Sequence, residues 1–156
     1  MNSTPSYLTP EGEAKLRKEL EELKGPRRDA LAKRLRIAIQ QGDLSENADY
    51  IQAKEEQGFM EGRIQELTQI LSNVITIEEN NGHRDSVEIG AKITIQEGNF
   101  PEETYFLVGP TEADPRNGRI SHKSPIGEAL LKHKVGDVVS VKTPAGEIRL
   151  KILKIE

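Results

Sequence analysis

The short polar stretch Gln41-Gly42-Asp43-Leu44-Ser45-Glu46-Asn47 separates two long segments that both carry helical patterns. Residues 10–78, on both sides of it, are rich in Glu, Lys, Arg, Leu, Gln and Ala, which are good helix formers. Beyond it, apolar residues recur at spacings of four and three, as in helices that pack along a seam; they are Met60, Ile64, Leu67, Leu71 and Val74. A joint this short forces the two helices to run antiparallel. The sequence therefore predicts a slender helical hairpin, roughly 45 Å long at ~1.5 Å rise per residue, with this stretch at its far tip.

The first helix of the hairpin has recognisable start and stop signals. Thr9 is a good N-cap, and Pro10 suits the first helical position. An apolar seam then begins with Leu16, Leu20 and Leu23. Pro26 interrupts the pattern, which predicts a kink or a local offset. The helix should end at Gln41-Gly42, because glycine readily takes the left-handed conformation.

The second helix is expected to start at once, with Asp43 as its N-cap and Glu46 three residues later. On a helix, two such side chains lie about 5–6 Å apart at Cβ. The carboxylates could then share a hard cation such as Mg²⁺, which accepts one or two carboxylates and keeps water and phosphate as its other ligands. The same spacing also describes a capping box, which serves stability alone. Apolar Leu44 is unusual at an exposed tip unless it closes the end of the hairpin.

Composition excludes several classes of protein. The net charge of the 156 residues is −4, so bulk charge does not draw the chain to nucleic acid. Without cysteine there are no disulfides and no thiolate metal sites. No stretch approaches the ~20 apolar residues of a membrane span, and the first residues lack the apolar run of a secretory signal. The default expectation is a soluble cytoplasmic protein.

The second half of the chain has the composition of strands and turns. Residues 1–79 are assigned to the hairpin, with its acidic tip at 42–47, residues 80–86 to a polar linker, and residues 87–156 to a small domain. Strands are expected at 87–89, 92–95, 105–108, 120–121, 138–141 and 148–152. A short helix follows the cap Ser124, with Pro125 at its first position and Ile126 on its apolar face. The predicted fold class is therefore α+β, with one antiparallel sheet and one short helix behind a helical hairpin.

Basic residues concentrate along the first helix and contrast with the acidic tip; they are Lys24, Arg27, Arg28, Lys33, Arg34 and Arg36. Such a stripe could hold the phosphates of a single nucleic-acid strand near a metal site, or it could be an ordinary solvated helix face. The three histidines are scattered without metal-ligand spacing, and no nucleophile-base arrangement stands out.

The tip motif Gly42-Asp-Leu-Ser-Glu-Asn-Ala-Asp-Tyr50 resembles the Gre family of bacterial transcription elongation factors, and its GreA branch in particular. The resemblance covers nearly the whole chain in the expected order. It continues at Ala53-Lys-Glu-Glu-Gln-Gly-Phe59, Glu61-Gly-Arg-Ile64, Ser124-Pro-Ile-Gly127 and Lys142-Thr-Pro-Ala-Gly-Glu147.

The resemblance implies an N-terminal antiparallel coiled coil and a C-terminal domain with the fold of FK506-binding proteins. The C-terminal domain would grip the rim of the secondary channel of RNA polymerase through Ser124, Pro125 and Ile126. The coiled coil would enter the channel, where Asp43 and Glu46 would stabilise the second catalytic Mg²⁺ while the polymerase cleaves backtracked RNA. The factor itself would be a monomer, would hold no cofactor tightly, and would not be an enzyme.

The resemblance also implies a basic patch that contacts the 3′ end of the nascent RNA, here Arg34, Arg36 and Lys54. Many relatives carry an arginine four residues before the first tip acid, and this chain has Ile39 there. Two alternatives remain: a channel-occupying binding module without a role in cleavage, and a peptidyl-prolyl isomerase. The isomerase is suggested only by analogy of fold. It needs an apolar, aromatic-lined pocket, and the second half of the chain has few aromatic residues, which are Phe100, Tyr105 and Phe106.

Overall fold

The computed structural model describes residues 4–78 and 84–156, which fall into two compact units. Glu13–Asn73 form most of the hairpin unit, and Ser6–Gly12 with Val74–Glu156 form the sheet unit. Most of the predicted linker, residues 80–83, lies outside the described residues. No helix in the described ranges is long and apolar enough to cross a membrane.

The elements follow one another in chain order. They are β1 (Ser6–Leu8), α1 (Pro10–Glu22), a π-helical turn (Leu23–Arg27), α2 (Arg28–Gln40), α3 (Ala48–Ser72), β2 (Val74–Thr76), β3 (Lys92–Glu97), β4 (Glu103–Val108), two 3₁₀ turns (Pro110–Glu112 and Pro115–Asn117), β5 (Arg119–Ser121), α4 (Pro125–Leu130), β6 (Val138–Thr143) and β7 (Gly146–Ile155).

The π-helical turn around Pro26 confirms the predicted local offset in the first arm of the hairpin. Buried residues along this arm are spaced by seven, eight and seven positions; they are Leu16, Leu23, Leu31 and Ala38. A π turn accommodates one additional residue in the helix, so the spacing of eight falls where the π turn lies. The wider turn therefore keeps the buried residues on one face despite the proline.

The second arm presents Ala53, Ile64 and Leu67 as its buried residues. Arginine–glutamate pairs cross between the arms on their exposed flanks. These pairs are Arg28–Glu61 at 2.8 Å, Arg34–Glu56 at 2.5 Å and Arg63–Glu19 at 2.8 Å. The hairpin is thus held by a narrow apolar line with ion pairs beside it.

The end of the second arm differs from the prediction. Val74 was expected as the last apolar position of the helix, but α3 ends at Ser72 and Val74 begins β2. β2 pairs in parallel with β1, and Ser6, Tyr7 and Leu8 lie opposite Val74, Ile75 and Thr76. Strands of three residues are too short to show an alternating pattern, so no local signal predicts this pair.

The start of α1 is capped as predicted, since the Gly12 N–H donates to Thr9 Oγ1 at 3.1 Å. Glu112 from the first 3₁₀ turn accepts hydrogen bonds from the Thr9 N–H at 2.6 Å and from the Thr9 hydroxyl at 2.5 Å. A Cβ on Gly12 would lie 2.4 Å from Glu112 Oε1, so a larger residue there would displace the Glu112 carboxylate from Thr9. Arg119 balances the carboxylate at 3.1 Å.

The main sheet has the strand order β5-β4-β3-β7-β6. The expectation of a wholly antiparallel sheet is wrong for one pair, because β4 and β5 run parallel. The two 3₁₀ turns between them carry the chain back before β5 starts. The strand expected at 87–89 is also wrong. Val87 is fully buried, but it exchanges backbone hydrogen bonds with Lys132 and His133 beside α4.

The helix α4 starts as predicted, with Ser124 Oγ accepting from the Gly127 N–H at 3.1 Å. Gly127 is required there, because a Cβ would lie 2.1 Å from the Ser121 carbonyl oxygen. The core of the unit lies between α4 and the sheet; its buried members include Ile93, Leu107, Leu130, Val141, Ile152 and Ile155. The β6–β7 hairpin also forms where predicted, with Thr143 opposite Gly146. The sheet unit is therefore a rigid support for the loops and pockets at its surface.

Candidate functional site at the hairpin tip

The tip loop, residues 41–47, joins α2 to α3 at the far end of the hairpin unit. Helix α2 ends as predicted, since the Gln41 N–H bonds to the Ala38 carbonyl at 3.1 Å and Gly42 takes a φ of 122°. A side chain at Gly42 would be strained by this φ. All residues from Gln41 to Glu46 are exposed.

Asn47, rather than Asp43, is the N-cap of α3, so the predicted capping box of Asp43 and Glu46 is wrong. The Asn47 side-chain oxygen accepts from the Tyr50 N–H at 3.1 Å, and its amide nitrogen donates to the Ala38 carbonyl at 2.6 Å. An aspartate could make the first bond but could not donate the second. Position 47 therefore favours asparagine, because its amide both caps α3 and bonds to the end of α2.

Asp43 organises the loop by a different device. Its Oδ1 accepts from the Ser45 N–H at 3.0 Å and from the Ser45 hydroxyl at 2.8 Å, which is an Asx turn. The backbone bond from Ser45, followed by the hydroxyl bond, lowers the pKa of Asp43 below its ordinary value. The carboxylate is therefore ionised at neutral pH. Across the described ranges, Oδ2 accepts no bond from a protein donor and faces solvent with its charge available.

Glu46 is also exposed, in the same loop but outside any helix. Leu44 between the acids is 39% exposed and does not close the end of the hairpin. Carboxylate oxygens are the ligands that Mg²⁺ prefers, and two of them supply part of its coordination shell. In residues 4–78 and 84–156, no three acidic or histidine side chains group into a complete metal site. The donor set of the tip fits an ion whose other ligands come from elsewhere.

The predicted basic patch is only partly available. Arg34 pairs with Glu56 across the hairpin, and Lys54 donates to Gln57 at 3.1 Å. Arg36 is exposed, and no hydrogen bond or ion pair engages it within the described part of the chain. Ile39 is 51% exposed. Arg34 is therefore the member of the patch whose charge is paired with an acid, whereas Arg36 has no bonding partner among the described residues.

The predicted docking residues lie at the start of α4. Pro125 is exposed, Ser124 is half-buried through its capping bonds, and Ile126 lines a pocket of about 320 Å³ in the sheet unit. Phe100 and Tyr105 line the same pocket. Phe106 instead belongs to a separate buried cluster, under the guanidinium of Arg119. Two of the three aromatic residues considered for an isomerase thus share a pocket.

Sequence reasoning missed Asn47 and Ser45. Asn47 carried a usable signal, because asparagine is among the best N-caps and Ala48 opens the next helical run. Its bond to Ala38 depends on the arms lying side by side, which local spacing does not encode. Ser45 had no signal of its own, since serine is common in any polar turn.

Comparison with known proteins identifies what the chain is similar to. The family model described as "Transcription elongation factor, N-terminal" matches residues 6–75, and "Transcription elongation factor, GreA/GreB, C-term" matches residues 81–156. A curated relative, transcription elongation factor GreA of Thermoanaerobacter pseudethanolicus, is 50% identical over 154 residues, or 98% of each chain. The GreA of Roseiflexus castenholzii is 44% identical over 157 residues, with both chains fully covered. The crystal structure of GreA factor homolog 1 of Thermus thermophilus matches with a TM-score of 0.45 and 29% identity, covering 98% of this chain and 99% of that one.

Proposed function

Because this chain belongs to the GreA/GreB family of transcription elongation factors, we propose that its hairpin enters the secondary channel of bacterial RNA polymerase and stimulates cleavage of backtracked nascent RNA. The observation that carries the proposal is the tip loop, where Asp43 and Glu46 stand exposed at the end of the hairpin unit. The polymerase performs the hydrolysis, and this protein lends carboxylates to it. It is a cofactor of an enzyme, working in the cytoplasm where the polymerase works.

The tip acids would act as ligands and as positioned negative charge. A magnesium ion in the polymerase active centre supplies charge stabilisation and water activation for phosphodiester hydrolysis. Asp43 would present Oδ2, since Oδ1 is occupied by Ser45, and the Asx turn fixes the direction of the carboxylate. A ligand held in one orientation loses less entropy when it binds. The free protein is expected to hold Mg²⁺ weakly, because two carboxylates in water form an incomplete site.

The flanks of the hairpin would contact the 3′ end of the RNA through phosphates. Arg36 has the exposed, unpaired charge best suited to this contact. Arg34 would first have to release Glu56, and Lys54 would have to release Gln57. Ile39 adds an apolar contact where an arginine would add charge, so we expect RNA binding here to depend strongly on Arg36.

The sheet unit would dock a single copy of the protein on the rim of the channel through Ser124, Pro125 and Ile126. Its five-stranded sheet with one helix supports the proposed likeness to FK506-binding proteins. A rigid scaffold that presents a short loop is a common arrangement for binding. If the sheet unit anchors the protein, Asp43 and Glu46 of the hairpin unit remain free to act in the cleavage reaction.

The test is a cleavage assay on a backtracked elongation complex with Asp43→Asn, Glu46→Gln and the double variant. The replacement at position 43 keeps an oxygen that can accept from Ser45, and neither acid caps α3, so folding should be normal. We expect each single change to slow stimulated cleavage on the order of 10²–10³-fold. The double change should be sub-additive, because both acids serve one ion. Affinity for polymerase should not change.

Glu55→Gln is the matched control, because Glu55 is an exposed acid on α3 beyond the tip loop. It should cleave like the parent protein. If both amide variants bind polymerase and still stimulate cleavage within a few-fold, the carboxylates have no chemical role. The channel-occupying module without a role in cleavage would then be the better description.

A further inference from the structure

One face of the main sheet is open to solvent over the strands β3, β7 and β6. The buried residues of these strands point toward α4, and the residues between them point to the opposite face. Paired positions there put Gln96 and Val138 beside Lys151, and Ser140 beside Arg149. These residues are exposed except for Gln96, which is half-buried. The five residues together are called the open sheet face.

The two cations of the open sheet face have no counter-ion of their own. Within residues 4–78 and 84–156, neither Arg149 nor Lys151 makes an ion pair or a side-chain hydrogen bond. Their cross-strand neighbours on the face are uncharged. Glu147 is the next outward residue of β7, and it lies opposite a third cation, Lys142. An anion bound at the open sheet face would therefore meet positive charge that nothing nearby cancels.

This positive charge contrasts with the rest of the molecule. The chain as a whole has a net charge of −4, so the charge of the open sheet face is a local property. The opposite side of the sheet unit presents Glu97 and Glu103 at its pocket. A polyanion that approaches the sheet unit is therefore attracted to the open sheet face and repelled from the pocket side.

The spacing and the chemistry of the open sheet face fit a nucleic-acid backbone. Arg149 and Lys151 are two residues apart on β7, which places them about 6.6–6.8 Å apart along the strand. Neighbouring phosphates of an extended nucleic-acid strand could contact both cations, and Ser140 supplies a hydroxyl of the kind that donates to phosphate oxygens. The open sheet face includes no aromatic side chain on which a base could stack, so its contacts would not depend on base sequence.

We propose that the open sheet face binds the phosphates of single-stranded RNA that backtracking has extruded. The inference rests on the proposed function, because that RNA is the strand that passes through the channel on whose rim the sheet unit docks. It assigns RNA binding to the sheet unit, in addition to the flank of the hairpin around Arg36. A flexible single strand can follow an exposed sheet, and electrostatic binding to its backbone needs no enclosed pocket.

The first experiment measures binding of the full-length protein to a fluorescent oligouridylate by anisotropy, at several salt concentrations. The double variant Arg149→Gln with Lys151→Gln should bind at least about fivefold more weakly at low salt. The slope of log affinity against log salt should become shallower by about 1.4, because each phosphate contact with a single strand contributes about 0.7. In the parent protein, the amide NMR signals that move on addition of the oligonucleotide should include those of β6 and β7.

The chain offers a matched control for the loss of charge. Arg116→Gln with Lys134→Gln removes one arginine and one lysine that are exposed elsewhere on the sheet unit, so the net charge changes equally. This variant should bind the oligonucleotide within about twofold of the parent. Exchanging the two cations, with Arg149→Lys and Lys151→Arg, keeps the charge and should keep the parent's affinity. Melting curves verify that the variants are folded.

The second experiment compares cleavage in elongation complexes with short and with long backtracks. The double glutamine variant should match the parent on short backtracks, because the tip acids are intact. On long backtracks, whose extruded RNA reaches the sheet unit, it should need several-fold more protein for half-maximal cleavage. Its affinity for polymerase alone should not change.

Several results would overturn the assignment of RNA to the open sheet face. Parent-like RNA binding by the double glutamine variant would reject it and leave the proposed function standing. Tighter binding of duplex DNA than of RNA, lost in the same variant, would make duplex DNA the occupant. Loss of polymerase binding with unchanged RNA binding would make an acidic segment of the polymerase the occupant. Failure of the proposed function would appear instead as normal cleavage by the amide variants of Asp43 and Glu46, with RNA binding at the open sheet face unaffected.

Discussion

The hairpin unit and the sheet unit bury their apolar residues in different ways. The sheet unit closes a cluster of twelve buried residues between α4 and the strands. The hairpin unit buries a single line along each arm, and Leu20, Met60 and Leu71 remain only partly covered. A thin line leaves most of each helix surface free to carry charge, whereas a closed core fixes loops and pockets in place. The two units therefore differ in how much of their surface their apolar packing occupies.

The largest effect should follow a cavity in the closed core. Leu107 is fully buried in β4, so Leu107→Ala leaves a void among rigid neighbours. We expect the free energy of unfolding of the sheet unit to fall by an amount in the upper half of the usual range of about 2–5 kcal/mol. Chemical denaturation with hydrogen exchange of the sheet strands measures it. A loss below about 1 kcal/mol would mean that the core collapses around the void.

The matched change in the hairpin is Leu67→Ala, since Leu67 is also fully buried. Ile64 beside it is buried, but Met60 and Leu71 farther along the arm are partly exposed, so the helices can close in or water can enter. We expect a cost in the lower half of about 2–5 kcal/mol, confined to hydrogen exchange of α2 and α3. Loss of hydrogen-exchange protection in both units after either substitution would show that the two units unfold as one.

Removing an ion pair beside the buried line of the hairpin should lower the free energy of unfolding by a smaller amount. Arg63 bonds both Glu19 and Glu66, and the Arg63 guanidinium lowers the pKa of Glu19. Because the pKa is lower in the folded state, this stability is present above the ordinary glutamate pKa and is lost as pH falls through the folded value. Arg63→Met should cost up to about 1 kcal/mol at pH 7 and less at pH 3.

Arg17→Met is the control for this prediction, because the Arg17–Glu13 pair lies within one helix and does not join the arms. Its effect on urea denaturation of the hairpin should be smaller at both pH values. A cost for Arg63→Met that is the same at pH 3 and pH 7 would assign it to lost packing of the arginine stem.

The smallest expected effect on stability concerns Tyr105, which lines the pocket of about 320 Å³ in the sheet unit. The hydrogen bond to Glu103, with burial and charge adding to it, raises the pKa of Tyr105 to about 12. A raised folded pKa means that this contribution to stability is complete below the ordinary tyrosine pKa and is lost as pH rises through about 12. Absorbance titration should resolve one late tyrosine, which Glu103→Gln should move toward its ordinary range. An unchanged titration in that variant would remove Glu103 as the cause.

Local signals in the sequence were enough for several parts of the fold. Thr9 and Ser124 cap their helices as predicted, because a hydroxyl residue followed by proline favours a helix start without help from distant residues. The tip loop was located correctly because the apolar pattern stops there on both sides. Where two local signals competed, at Asp43 and Asn47, a contact with Ala38 from the other arm settled the outcome. The parallel pairing of β5 and the pocket around Phe100 also arise from long-range packing.

The pairing of β1 with β2 makes the hairpin an insertion in the chain of the sheet unit. The chain leaves that unit after Gly12 and returns at Val74, and its two crossing segments are tied together as neighbouring strands. An insertion with both ends tied at one place can change in length without moving those ends. Removing seven residues from each arm would shorten the reach by about 10 Å and keep the buried line in phase. The length of the hairpin can thus change independently of the sheet unit that holds both of its ends.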